Sequence, residues 1–323
     1  MTDWLNHAAA WREWRTAVAS QRMHHGWMLA GKSGLGKLDF AYAAARELVA
    51  EEGVAQPAEH PDIITVTFGP KDKKAESAQA AGKPYDLSNV IKVEQVRDME
   101  RRLHTRPTLG SRRVVIVQPA DEMNRNAANA LLKSLEEPPV GTYFMLVTHR
   151  PSRLLPTIRS RCRILRFPNL TDAQLEAMLE ASGAGEGGSA RLAAIRAAEG
   201  SYGAALRFAE QDLGPVAAAI TRLLTKGDPD LSGRAELSRL IGGRADRARL
   251  DAAFELAQAL TADLARTTEN PTQRAALIEA HGELVTLAAQ APTYNFDTGL
   301  LAAEIGSLLM RAAPSSDHAH VRS

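Results

Sequence analysis

Through the first half of the chain, short apolar runs alternate with amphipathic stretches. This is the pattern of strand-helix units on a mainly parallel sheet. The runs Trp27 to Ala30, Ile63 to Thr67, Val114 to Val117, Tyr143 to Thr148 and Ile164 to Phe167 predict strands. Between them, Lys37 to Glu51 places Leu38, Ala41, Ala45 and Leu48 on one helical face, and Val93 to His104 does the same with Val93, Val96, Met99 and Leu103. A third helix, Asn126 to Glu136, is stopped by Pro138 and Pro139, because proline lacks an N–H and restricts the residue before it. The polar stretch Gly69 to Asn89 shows no apolar periodicity and predicts a mobile surface insertion.

After Pro168 the strand signals vanish. Thr171 with Gln174 has the spacing of a capping box and opens a helix through about Ala181. Gly183 to Gly188 punctuates, and a small helical unit runs on to about Glu210. From Gly214 to Ala312 amphipathic helices follow, with breaks near Gly227 to Pro229, Gly242 to Gly243 and Pro292; the tail from Pro314 to Ser323 is polar and predicts fraying.

With 323 residues there is room for two or three domains. The formal net charge of +1 supplies no global field toward DNA or acidic lipid, so any nucleic-acid contact is local or shared with partners. A single cysteine, Cys162, excludes an intramolecular disulfide and a four-thiolate zinc site within the chain. Met1 to Arg15 lacks the apolar core of a signal peptide, and no stretch is apolar enough to span a bilayer, so a soluble cytoplasmic protein is expected.

The segment Gly31-Lys32-Ser33-Gly34-Leu35-Gly36-Lys37-Leu38 follows a predicted strand and opens a predicted helix. It matches G-x-x-x-x-G-K, in which Gly31, Gly34 and Gly36 let backbone N–H groups face phosphate oxygens and Lys37 reaches the phosphates. Leu38, however, stands where a Ser or Thr hydroxyl would bind Mg²⁺, and it has no oxygen to offer. The plainer alternative is a glycine-rich turn that only packs. After Val114 to Val117, the places of a metal-holding carboxylate and a water-activating Glu hold Gln118 and Pro119. Asp121 and Glu122 come later, past a proline, and read as caps of the following helix, with a return to the site as the alternative. Loss of both the metal hydroxyl and the base predicts negligible turnover, since each 1.4 kcal/mol is about tenfold in rate. Arg150, Arg153, Arg159, Arg161, Arg163 and Arg166 crowd one segment, either as a solvated rim or as a source of projecting guanidinium for phosphate.

Several strings in combination resemble the clamp-loader branch of the AAA+ family, which serves bacterial DNA polymerase III. They are His24-His25, Gly31 to Lys37, His60-Pro61-Asp62, Asn129-Ala130-Leu131-Leu132-Lys133-Ser134-Leu135-Glu136-Glu137-Pro138-Pro139, and Arg159-Ser160-Arg161-Cys162-Arg163. The resemblance covers residues 1 to about 210. It implies an α/β fold: a AAA+ P-loop parallel-sheet domain over 1–168, a small helical lid over 169–211 and an all-α collar over 212–323. It further implies a hetero-pentameric ring with delta and gamma or tau subunits, which opens the sliding clamp and places it on primed DNA, with no membrane partner. Arg161 is implied as an arginine finger acting in trans on a neighbour's ATP. Leu38, Gln118, Pro119 and Gly203, the last at the place of a sensing arginine, are departures from an active ATPase of this family. The resemblance therefore implies a catalytically silent subunit, with no required cofactor, at most weak ATP or ADP binding without magnesium at Gly31, Gly34, Gly36 and Lys37, and no zinc. Other readings stay open: an active P-loop ATPase using Lys37 with Asp121 or Glu122, and a DNA-binding adaptor built on the arginine cluster. Leu131, Leu132 and Leu135 also read as core, and His60 as a hydrogen-bonded turn histidine.

Overall fold

The computed structural model describes residues 4–20, 23–184, 188–211, 213–242, 247–294 and 297–314. It divides into two compact units, Met1–Asn169 and Leu170–Ser323.

The first unit is a five-stranded parallel sheet: β1 Gly26–Ala30, β2 Ile63–Val66, β3 Arg113–Val117, β4 Thr142–Thr148 and β5 Arg163–Arg166, in the order β2-β3-β4-β1-β5. Every strand pair is parallel, with Trp27 opposite Met145 and Arg163, and Val115 opposite Phe144 and Ile64. β1 and β3 are buried along their whole length, which is why they read as unbroken apolar runs: helices cover both faces of such a sheet. All strands end on one side, where a ligand site of an open parallel sheet lies.

The flanking helices are α1 Ala8–Ala19, α2 Lys37–Val49, α3 Lys73–Ala80, α4 Val93–Leu103, α5 Arg125–Glu136 and the one-turn α6 Pro156–Arg159. All five predicted strands and the three predicted helices are present, with ends shifted by a residue or two. α1 was not legible in the Ala-rich start; its Trp14 is fully buried and meets Trp27 edge-on at 5.3 Å. The stretch 69–89 is not an element-free insertion. It contains α3, which Asp72 caps by accepting the Ala75 N–H at 2.9 Å, and Pro70 pairs with Leu87 to close the loop. Ala, Lys, Gln and Glu favour helix without an apolar stripe, and Ala75 is the residue that α3 buries, so periodicity had nothing to report.

The second unit is helical: α7 Asp172–Ser182, α8 Gly188–Ala198, α9 Tyr202–Glu210, α10 Gly214–Lys226, α11 Ser232–Ile241, α12 Arg247–Thr267, α13 Pro271–Tyr294 and α14 Thr298–Arg311. The Thr171–Gln174 capping box is formed. α8 packs against both α10 and α12, so helices expected of lid and collar share this unit. α13 continues two residues past Pro292 before it stops. Gly183 ends α7 and Gly242 ends α11 at two of the expected breaks, while residues 185–187 and 243–246 and the tail beyond Pro314 lie outside those described. No described helix is long and apolar enough to cross a membrane.

Candidate phosphate loop and arginine rim

The loop from Gly31 to Gly36 leaves the end of β1, a central strand, and enters α2. Gly34 and Gly36 have φ of 74° and 69°, conformations that favour glycine. Gly31 is packed so tightly that a Cβ there would lie 2.5 Å from the Phe167 carbonyl oxygen. The motif's glycines thus fit their backbone roles.

Lys37 does not reach outward. Its residue is 2% exposed, and Nζ donates to the carbonyl oxygens of Gly31, at 2.7 Å, and Lys32. Burial pushes its pKa down to about 8, and the charge of Asp121 offsets this only in part. Leu38 follows with no oxygen for a metal.

β3 lies two strands away from β1, across β4. Its end is tied to the sheet by Gln118 N–H donating to Val66 at 2.9 Å, and the chain then turns through a cis Gln118–Pro119 bond. This turn corrects the reading of Asp121 and Glu122 as helix caps. Asn124 caps α5 by accepting the Ala127 N–H at 2.8 Å. Asp121 is buried and accepts the backbone N–H groups of His149 at 2.9 Å and Arg150 at 3.0 Å, just past β4. Burial would raise its pKa, but the His149 amide, its own backbone N–H and the nearby imidazole outweigh it and the carboxyl sits below its ordinary value. Glu122 pairs with Arg153 at 2.8 Å. The backbone therefore does return Asp121 to the Lys37 side of the sheet, with both oxygens engaged. His149 was missed by sequence reasoning. Its pKa is lowered mainly by burial and then by the nearby Lys37 charge, against the raising effect of Asp121, and its buried Nδ1 has no hydrogen-bond partner.

Trp4 and His7 were also missed. Trp4 Nε1 donates to Asp39 at 2.9 Å, and His7 Nε2 is 2.8 Å from the Leu35 carbonyl oxygen. A Trp in a polar opening segment was the one signal available. These residues do not fit a magnesium nucleotide: Leu38 and Gln118 lack the required charge or hydroxyl, Asp121 is spent on amides, and the lysine is bonded to its own loop. Among the described residues no group of three His, Cys, Asp or Glu is placed to hold a metal ion.

The arginine segment does not form one continuous basic surface. Arg153, Arg161 and Arg163 pair with Glu122, Glu136 and Glu13, while Arg150, Arg159 and Arg166 are exposed. Arg161 sits between α6 and the edge strand β5. Its guanidinium donates to the Thr157 carbonyl at 2.8 Å and meets Glu136 at 2.7 Å, with 35% of the side chain exposed. Glu136 closes α5, whose Leu131 and Leu135 are buried while Leu132 is partly so. Gly26 leaves room for this turn, since a Cβ there would be 2.8 Å from the Arg161 carbonyl oxygen. The histidines of these strings are structural: His24 Nδ1 accepts the Gly26 N–H at 3.1 Å, His25 bonds the Leu135 carbonyl at 2.8 Å, and His60 Nδ1 accepts the Asp62 N–H at 3.2 Å. Gly203 lies in the first turn of α9 in the second unit.

A parallel sheet in this strand order, with a glycine loop leaving its central strand into a helix, followed by a helical unit, defines a P-loop protein of the AAA+ type. The family described as DNA polymerase III, delta subunit, matches residues 6–171, and the chain belongs to it. It is 36% identical over 167 residues to the DNA polymerase III subunit delta' of Pseudomonas aeruginosa, covering 46% of each chain. It is 33% identical over 204 residues to the delta' subunit of Escherichia coli, covering 59% of this chain and 56% of that one. The tau subunit of Escherichia coli is 30% identical over 303 residues, 90% of this chain and 40% of that one. The chain thus spans about half the length of the curated relatives it matches. A solved DNA polymerase III gamma subunit-related protein from Thermotoga maritima shares the fold, at TM-score 0.51 and 19% identity, covering 93% of this chain and 98% of that one.

Proposed function

We propose that this chain is a delta-prime-type subunit of the DNA polymerase III clamp loader: a catalytically silent stator that helps place the sliding clamp on primed DNA. In this reading it joins delta and gamma or tau subunits in a ring. It supplies Arg161 to the ATP of a neighbouring subunit, where a guanidinium stabilises phosphoryl charge in the transition state. The observation that carries the proposal is the contrast between two sites in one domain. Lys37 is turned onto its own loop with no metal oxygen beside it, whereas Arg161 is anchored at Thr157 and Glu136 and still one-third exposed at the rim. No nucleotide or metal is required of this chain itself, and no zinc.

The isolated chain should release phosphate from ATP no faster than background. In a reconstituted loader, Arg161→Ala should lower the DNA- and clamp-stimulated ATPase by about 10³-fold at the site it serves, the range known for arginine fingers. An unaffected mutant complex rejects the trans role. A second reading, an active ATPase using Lys37 and Asp121, draws on the influence of the Asp121 charge on Lys37. Phosphate release by the lone chain that disappears in Lys37→Ala would establish it in place of the first.

A further inference from the structure

The opening segment of the chain occupies the phosphate loop. Gly36 is the N-cap of α2, where backbone N–H groups of a phosphate loop are presented. A Cβ at Gly36 would fall 2.1 Å from the Trp4 Cε2 atom, so the indole lies directly against that backbone. The ring is fixed on three sides. Its Nε1 donates to Asp39, in the first turn of α2, at 2.9 Å. Its face stacks on His7, centroids 5.3 Å apart and planes within 9°. His7 is 4% exposed, bonds the Leu35 carbonyl of the loop, and is held edge-on by Phe40 and Phe167 at 5.8 and 5.0 Å. Asn6 Nδ2 donates to the Pro168 carbonyl at 2.9 Å and fixes the segment between them.

On the inner side of the same loop, Lys37 spends its hydrogen bonds on Gly31 and Lys32. The two groups a triphosphate needs, the amides at the helix entrance and the lysine, are thus covered from outside and satisfied from within.

We propose that Trp4 and His7 form an intramolecular latch that holds the phosphate loop in a closed, self-bonded state and so masks a residual triphosphate site. The latch takes the place of a ligand: it keeps β1, the loop and α2 in one arrangement when no nucleotide is bound. The proposal goes beyond the stator reading and stands without it, because it concerns binding by the isolated chain and not hydrolysis in a ring.

A latch that favours the closed state by about ten to one lowers apparent affinity by the same factor. The test is equilibrium dialysis of the full chain with radiolabelled ATP in EDTA. Trp4→Ala, and Trp4→Ala with His7→Ala, should bind about tenfold or more tightly than the unaltered chain, and adding Lys37→Ala should remove the gain. A folded Trp4→Ala chain that binds no better overturns the proposal. Should Trp4→Ala fail to fold, Asp39→Ala removes only the indole's anchor. Amide hydrogen exchange over residues 31–37 should then quicken, and unchanged exchange overturns the latch.

Discussion

The carboxylate of Asp121 accepts the backbone N–H groups of His149 and Arg150, and thereby pins the turn after β3 to the turn after β4. In an ATPase of this architecture a carboxylate near here would hold a metal shell; in this chain it is a staple between loops. Removing it leaves two part-buried amides without their acceptor, at about 1 to 2 kcal/mol each, the lower part of the range for a lost partner.

Asp121→Ala should therefore lower the stability of the first unit by about 2 to 4 kcal/mol, read as a shift in the urea midpoint. The native pKa of Asp121 lies below its unfolded value, so its contribution is full above the unfolded pKa, near 4, and is lost as pH falls through the native one. The difference between the parent and Asp121→Ala should shrink on acidification from neutrality. A difference that stays constant down to pH 2 argues against the staple.

Lys37 yields a prediction at the other end of the pH scale. Its native pKa of about 8 lies below the ordinary value, so between about pH 8 and 10.4 the unfolded chain holds a proton that the folded chain has released. Stability from this group rises with pH through that window, by about 3 kcal/mol at most. Lys37→Met lacks the effect. The stability of Lys37→Met relative to the parent should be most favourable near neutrality and should decline by pH 10.5, checked by urea denaturation of both chains across the range.

Burial pushes the Cys162 thiol up to about 12. Because the thiolate is the nucleophile, alkylation by iodoacetamide at pH 8 should be roughly a thousandfold slower in the native chain than in urea. Mass spectrometry of timed samples measures it; comparable rates in the two states would contradict the raised thiol pKa of this partly buried residue.

Asp62 is fully buried, accepts the N–H groups of Thr108 and Leu109 at 2.7 and 2.8 Å, and faces Arg113 at 3.7 Å. Arg113 in turn donates to the carbonyls of Arg102, in the last turn of α4, and of Thr105 and Arg106 just beyond it. Asp62→Ala strands a buried guanidinium and should destabilise the sheet unit by about 3 to 5 kcal/mol. Replacing Arg113 as well should recover part of that loss in a double-mutant cycle. Additive losses would show that the two groups do not act together.

The order of elements and the class of the fold were legible in the chain because each signal was local. Buried strands are short apolar runs, α2 and α4 carry their apolar stripes at helical spacing, the Thr171–Gln174 box spans one turn, and the glycine loop declares its backbone needs in a few residues. The loss of the metal oxygens was equally local, at Leu38, Gln118 and Pro119. What only the tertiary structure decided is where polar side chains find partners far along the chain. Asp121 looked like a helix cap because its neighbours in sequence start a helix, yet its partners are 28 and 29 positions away. Trp4 carried no role in the sequence, because its partner Asp39 is 35 positions on. Hydrophobic periodicity records which face of an element is buried, but it holds no information about which distant amide a carboxylate meets. That depends on strand order and turn geometry, which the packed sheet alone fixes.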